Sequence, residues 1–206
     1  MQLRSLHAIS ASVVASFAAV HIANHVAALG GIAMHIGFME AARSVYRIRL
    51  VESVLLACVL FQAISGLWLI ARGWRQRQGR VAWLQAISGA YLAFFLLVHV
   101  SAVLFGRLSL GLDTNFYFAA AGFHVQPFQY FFAPYYLLGV LALFTHLGCA
   151  MYWRATSSAR SSPFHFLGWP VGIGALVSLL IVLLLAGGFY PVEIPPEYKA
   201  SYLPRA

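Results

Sequence analysis

The chain has 206 residues, of which 62% are hydrophobic and only 9% are charged. A water-soluble domain of this length cannot bury so much apolar surface, so the composition excludes an ordinary soluble fold. The formal net charge of +8 would suit a nucleic-acid-binding protein. However, the arginines lie in short connections between apolar runs, so no nucleic-acid partner is expected.

Five apolar runs reach the length of about 20 residues that a helix needs to cross a bilayer. They cover residues 8–30, 51–72, 82–106, 130–153 and 168–190. The sequence therefore predicts an all-α membrane protein with five transmembrane helices. Residues 1–190 are expected to form a single transmembrane domain. Residues 191–206 contain four prolines and are expected to form an extended C-terminal tail.

The distribution of charge predicts the orientation of the chain. Five crossings place the two termini on opposite sides of the membrane. The segment Arg72–Arg80 contains four arginines, and the positive-inside rule places such a cluster in the cytoplasm, where it could dock an acidic partner or anionic lipid. All five acidic residues fall on the other side. We expect an integral protein of a bacterial inner membrane, with the N-terminus cytoplasmic and the C-terminus outside.

Four polar residues interrupt separate apolar runs: His21, Gln62, His99 and His146. Imidazoles inside a membrane cost free energy and usually mark a functional site. Imidazoles on facing helices of a bundle can hold a haem iron from both sides. The alternative is a hydrogen bond between helices, which histidine and glutamine also make. Apart from His25, the remaining histidines are expected at the membrane surface or in solvated connections. They are His7, His35, His124 and His165.

Depth in the membrane pairs the candidate ligands. Counted from the cytoplasmic ends, His21 and His99 fall in the outer half, His146 falls in the inner half and Gln62 lies near the middle. His21 and His99 could therefore share one haem, and a second haem would need His146 and a partner at Gln62. His25 lies one helical turn from His21, so it is the rival ligand on the first helix, or a group contacting a haem propionate or a quinone.

Several segments resemble, in the same order, parts of the five-helix di-haem cytochrome b subunit of succinate dehydrogenase and fumarate reductase. They are Phe17-Ala-Ala-Val-His21, Arg47-x-x-Leu-Val-Glu52, Leu84-Gln-Ala-Ile-Ser-Gly89, Val98-His99-Val100 and Phe144-Thr-His146. The resemblance covers most of the chain. It implies a four-helix haem-binding bundle plus one peripheral helix.

The resemblance also implies which residues bind haem b. His21 and His99 match the iron ligands of the haem far from the catalytic subunits. His146 matches one ligand of the nearer haem, and Gln62 occupies the position of the other. Because glutamine is a poor iron ligand compared with imidazole, one haem is expected. The sequence does not decide whether a second haem binds.

The function implied by the resemblance is that of a haem b membrane anchor. Such a subunit passes electrons between membrane quinone and soluble flavoprotein and iron–sulfur subunits on the cytoplasmic face, and it has no catalytic site for the dicarboxylate itself. A quinone site is expected beside the outer haem, with Glu52 or Glu40 as the nearest acid. The alternative is a haem-free or single-haem structural or assembly protein derived from that family, which Gln62 favours.

Overall fold

The computed structural model describes residues 3–158 and 162–202. Every regular element in this part of the chain is helical. The helices are α1 Leu3–Ala27, α2 Ile32–Tyr46, α3 Arg49–Arg72, α4 Arg80–Leu108, α5 Phe116–Ala121, α6 Gln129–Ser157, α7 His165–Leu185 and α8 Pro196–Ala200. Five of them, α1, α3, α4, α6 and α7, are long and apolar enough to cross a membrane. The predicted all-α membrane fold with five transmembrane helices is confirmed.

The predicted spans correspond to these five helices, but several ends differ. α4 starts at Arg80, before the expected residue 82, and α6 continues to Ser157, past the expected residue 153. α7 begins at His165 and ends at Leu185, whereas the expected span was 168–190. Hydropathy locates the stretch inside lipid, but the end of α7 is set by Gly187, whose φ of +79° favours glycine.

The outward faces of the crossing helices are apolar. Ile64, Ile87 and Leu176 each expose more than half of their surface. A soluble monomer rarely exposes continuous apolar surface of this kind, whereas in a bilayer such side chains contact lipid. The exterior is therefore that of an integral membrane protein.

Four helices form a bundle, and the fifth is peripheral. α1 packs on α3, α3 on α4, and α4 on α6. The pairs α1–α4 and α3–α6 consequently face each other across the centre. α7 packs along α6 and also touches α1. We call the two ends of the bundle the α2 end, where α1 finishes, and the arginine-loop end, where α3 leads into α4.

The α6–α7 contact relies on small residues. Gly174 and Ser178 are buried on α7, and Gly148 and Cys149 are buried on α6. A Cβ atom added at Gly174 would lie 2.4 Å from the Cβ of Phe144. Helices in lipid associate through such close approach because lipid offers no hydrophobic driving force between them.

Shorter elements close the α2 end. α2 lies across this end and buries His35, Met39 and Arg43, which are spaced by four residues and therefore share one face. α5 is capped by Asn115, whose side-chain carbonyl accepts hydrogen bonds from two backbone N–H groups. Phe116 at the start of α5 is fully buried.

The tail differs in part from the expected extended segment 191–206. Residues 191–195 have no regular structure, and α8 follows and buries Tyr198. The Tyr190 hydroxyl donates a hydrogen bond of 2.8 Å to the carbonyl of Ala28, which fixes the start of the tail to the end of α1. Residues 203–206 of the predicted tail lie outside the described residues.

Replacing Gly174 with leucine should destabilise the protein, because the new side chain would overlap Phe144. Overpacking of this kind costs about 1–3 kcal/mol. Thermal unfolding in detergent micelles measures the loss. Gly172→Leu is the matched control, since nothing lies within 4 Å of a Cβ at that position of the same helix. Equal stability of the two variants would contradict the α6–α7 packing.

Candidate functional site

A cavity with a volume of about 1260 Å³ runs through the centre of the four-helix bundle. Lining residues on α4 extend from Ala82 to Arg107, which corresponds to about 37 Å along the helix axis. Ligand pockets commonly have volumes of roughly 300–1,000 Å³. The cavity therefore exceeds an ordinary small-molecule pocket and extends over most of the length of the bundle.

Each of the four bundle helices contributes one stripe of residues to the cavity wall. On α1 the stripe includes Ala11, Ala18, His21 and His25, at helical spacings of three, four and seven. Alanine or glycine occurs in each of the four stripes, although α6 contributes only Gly139. These small side chains leave space at the centre of the bundle. Among the described residues of α7, only Ile181 reaches the cavity.

All five residues predicted as cofactor ligands border this single space. His21 and His25 come from α1, Gln62 from α3, His99 from α4 and His146 from α6. The sequence signal of polar residues within apolar runs therefore identifies the wall of one cavity.

His21 and His99 contact each other across the bundle. Their ring centroids lie 5.9 Å apart, with an angle of 64° between the ring planes. Each imidazole stacks on a phenylalanine four residues earlier in its own helix. Phe17 lies 5.6 Å from His21, and Phe95 lies 5.2 Å from His99, both nearly parallel. These stacks fix the directions in which the two imidazoles project.

The separation of the two imidazoles fits iron coordinated between them. A metal–imidazole bond of about 2 Å, together with about 1 Å from the nitrogen to the ring centre, places two ligating rings roughly 6 Å apart. Two imidazoles supplied by facing helices form a suitable donor set for haem b. Among the described residues, no group of three or more His, Cys, Asp or Glu side chains is arranged to hold a metal ion.

His25 contacts different rings from His21. Its ring lies 4.8 Å from His21 and 5.2 Å from His35 on α2. His21 is the α1 imidazole in ring contact with His99. This geometry favours His21 over His25 as the α1 member of the pair.

His35 was expected in a solvated connection, and this prediction is wrong. The residue is only 2% exposed, because α2 turns it toward α1. The Asn24 amide donates a hydrogen bond of 3.1 Å to Nε2 of His35. Burial, followed by the positive charges that His21 and Arg43 can carry, lowers the pKa of His35 to about 4.

His146 lies nearer the arginine-loop end and is oriented by α4. Its Nδ1–H donates a hydrogen bond of 3.1 Å to the carbonyl of Gln85. A carbonyl can only accept, so a neutral His146 carries its proton on Nδ1 and keeps a lone pair on Nε2. This is the tautomer in which a metal-binding histidine is usually held by the protein.

Gln62 is directed toward α1. Its amide donates hydrogen bonds to the backbone carbonyl of His7, at 2.6 Å, and to the Ser10 hydroxyl. His7, which was expected at the membrane surface, is half-buried between α1 and α3, and its Nδ1 lies 2.7 Å from the Ser65 hydroxyl. Gln62 therefore joins α3 to α1 through these two hydrogen bonds.

Charged groups gather where the cavity meets the α2 end. Arg43 is only 6% exposed and forms 2.8 Å ion pairs with both Glu40 and Asp113. Arg107 forms an ion pair with Glu52. Of the two acids predicted for quinone, Glu52 borders the cavity. Glu40 is 58% exposed on α2 and is absent from the cavity wall in the part of the chain that the structure describes.

Two short repeats in the sequence could have identified more of this site. The pattern Phe-x-x-Val-His occurs at residues 17–21 and 95–99, where it supplies both members of the imidazole pair. Gln-Ala-Ile-Ser-Gly occurs at residues 62–66 and 85–89. In both copies the serine lies within hydrogen-bonding distance of a histidine on a neighbouring helix, His7 and His146 respectively.

Acidification should destabilise the protein through His35. Between the ordinary pKa of 6.5 and the folded value of about 4, the unfolded chain takes up a proton that the folded chain does not. The contribution of His35 to stability is thus complete above pH 6.5 and is lost as the pH falls toward 4. His35→Gln should show a smaller decrease in Tm over this range in detergent micelles.

The control for this pH experiment is His165→Gln, since His165 is exposed at the start of α7. This variant should keep the wild-type dependence of Tm on pH. Identical dependence in His35→Gln and wild type would contradict the assignment of His35 as a buried, neutral imidazole.

Comparison with protein-family models, curated protein sequences and solved structures found no match to this chain. The function must therefore be inferred from the residues and geometry of the cavity.

Proposed function

We propose that the chain is a haem b-binding membrane cytochrome that serves as the anchor subunit of a succinate dehydrogenase or fumarate reductase type of complex. The observation that carries this proposal is the pair His21 and His99. These imidazoles come from facing helices, border one cavity and lie at the separation expected for two ligands of the same iron. The segments that resemble the cytochrome b family support the same function.

In this proposal the chain binds and tunes the haem, whereas the haem supplies one-electron redox chemistry. Nε2 or Nδ1 of His21 and His99 would hold the iron from its two faces. Phe17 and Phe95 keep the two imidazoles in place by stacking on them. The apolar side chains around the two imidazoles would limit the access of water and, with the imidazoles, would tune the reduction potential of a bound haem.

The proposal contains one haem per chain and leaves the second site incomplete. His146 offers a free Nε2 lone pair in the half of the cavity near the arginine-loop end. The corresponding α3 residue, Gln62, uses its amide hydrogens to bind α1 instead. A second haem at this level would have His146 as its imidazole ligand and no imidazole from position 62.

The arginine-loop end is proposed to face the cytoplasm and the soluble flavoprotein and iron–sulfur subunits. The guanidinium of Arg72 lies 5.0 Å from the centre of the Trp68 ring, and that of Arg77 lies 5.5 Å from the Trp83 ring. Tryptophan at this level is typical of a membrane interface, and an arginine cluster there favours the cytoplasmic side and an acidic surface. The α2 end would then be outside.

Quinone is proposed to bind beside the haem near the α2 end. Glu52 is the acid in the cavity wall there, and its ion pair with Arg107 holds the carboxylate at that wall. Glu40 is exposed on α2 and suits proton exchange with solvent better than direct contact with a ligand in the cavity.

A haem-free structural or assembly protein is the second candidate, and the role of Gln62 favours it. An amide that bonds two helices is typical of structural polar contacts in membranes. The two candidates differ in haem content: the first contains haem b, and the second contains none.

Removing either member of the imidazole pair should abolish haem binding. The purified wild type is expected to contain about one haem b per chain, because one complete ligand pair is present. His21→Ala and His99→Ala should reduce this ratio to near zero in reduced-minus-oxidised spectra and pyridine haemochrome assays. His25→Ala and His165→Ala are the controls and should keep haem. Haem-free wild type would favour the structural candidate.

Restoring an imidazole at position 62 should complete the second site. Gln62→His is expected to raise the ratio from about one to about two haems per chain, since it would give His146 an imidazole partner. Gln62→Leu controls for loss of the hydrogen bonds to α1 and should leave the ratio at the wild-type value. An unchanged ratio in Gln62→His would contradict the mapping of residue 62 opposite His146.

A further inference from the structure

Arg47 differs from Arg43 and Arg107 at the α2 end in having no carboxylate partner among the described residues. Arg43 is paired with Glu40 and Asp113, and Arg107 is paired with Glu52. Within residues 3–158 and 162–202, the hydrogen bond found for the Arg47 side chain is one of 3.2 Å from its Nη2 to the Thr114 hydroxyl. Arg47 nevertheless borders the cavity.

The Arg47 side chain has a hydrogen-bond donor that an anion could satisfy. Its Nε is buried and has no hydrogen-bond partner in the described part of the chain. A guanidinium has five N–H donors, and a buried donor without an acceptor costs free energy. Arg43 and Arg107 also bring two like charges close to it. Asp113, which is paired with Arg43, also brings a negative charge near Arg47. A carboxylate bound in the cavity would accept two parallel hydrogen bonds from the guanidinium.

The position of Arg47 relates this unfilled anion site to the imidazole pair. The preceding residue, Tyr46, packs edge-on against Phe17 with ring centroids 5.3 Å apart. Phe17 in turn stacks on His21 at 5.6 Å. Arg47 is therefore next in sequence to Tyr46, whose ring is linked through Phe17 to His21, the proposed iron ligand. Haem b carries two carboxylates on one edge, so a haem held by His21 and His99 would bring its own anions into the cavity.

We propose that Arg47 binds a propionate carboxylate of the haem held by His21 and His99. The acidic edge of the haem then points toward the α2 end, and its apolar edge points toward the arginine-loop end. This inference rests on the proposed haem function, but it adds a binding residue and an orientation which that function does not require.

The direct test compares two porphyrins that differ only in their carboxylates. Haem-depleted full-length protein in detergent is titrated with protohaem and with protohaem dimethyl ester, which lacks negative charge at that edge. Wild type should bind protohaem about ten- to a hundredfold more tightly than the ester, as expected for a charge-assisted pair. R47Q should bind protohaem more weakly and bind the two porphyrins with similar affinity.

Arg49→Gln is the matched control, because Arg49 is exposed at the start of α3 and is not part of the cavity wall. It removes the same charge two residues away and should keep the wild-type preference for protohaem. R47K, which retains the charge without the planar fork, should show an intermediate preference. Circular dichroism and gel filtration establish that each variant is folded.

The haem midpoint potential tests the same contact without comparing two porphyrins. Removal of a positive charge near the iron favours the ferric state, so R47Q should lower the haem midpoint potential. R49Q should leave it unchanged. A merely structural role of Arg47 would not produce both this shift and the loss of discrimination between the two porphyrins.

The outcomes separate this inference from the function on which it rests. Wild type that binds neither porphyrin overturns both. Wild type that binds both equally, or R47Q that keeps the preference, overturns the role of Arg47 while the cytochrome function stands. Laurate provides a lipid-derived carboxylate for comparison. Laurate binding to the haem-free protein that is lost in R47Q, together with equal affinity for both porphyrins, assigns the site to lipid and overturns the propionate contact.

Discussion

The central constraint on this protein is the need to place imidazoles inside lipid without exposing them to it. α1, α4 and α6 meet this constraint by turning His21, His99 and His146 toward the cavity at the centre of the bundle. The contact between His21 and His99 results from two of these helices facing each other. The open centre lies between the same helices, each of which contributes alanine or glycine to its wall.

Much of the fold follows directly from the sequence. Runs of apolar residues long enough to cross a bilayer predict the five helices, because lipid leaves the backbone no alternative to internal hydrogen bonding. The ends were less predictable, as α7 illustrates, since a glycine with positive φ ends it before hydropathy declines. The sequence predicts a connection between the first two spans, whereas Ile32–Tyr46 form the helix α2. Its burial of His35 depends on tertiary contacts with α1, which no local pattern reveals.

The same distinction applies to the candidate site. The polar residues that stand in an apolar background border the cavity. They could be picked out because the cost of a polar side chain in lipid is a property of residue type. The hydrogen-bond or ion-pair partner of each side chain could not be predicted from residue type. Gln62 lies at the predicted position but bonds to the backbone of His7 and to Ser10. The ion pairs of Arg43 with Asp113 and of Arg107 with Glu52 likewise join residues distant in sequence, and among the described residues no carboxylate is left for Arg47.

The most direct test of the cytochrome account is low-temperature electron paramagnetic resonance of the oxidised, purified protein. Two imidazoles on one iron give low-spin ferric haem, because both axial positions carry strong-field ligands. The account predicts this low-spin signal from the wild type. A preparation without haem, or one whose haem gives only a high-spin ferric signal, would contradict the claim that His21 and His99 hold the same iron.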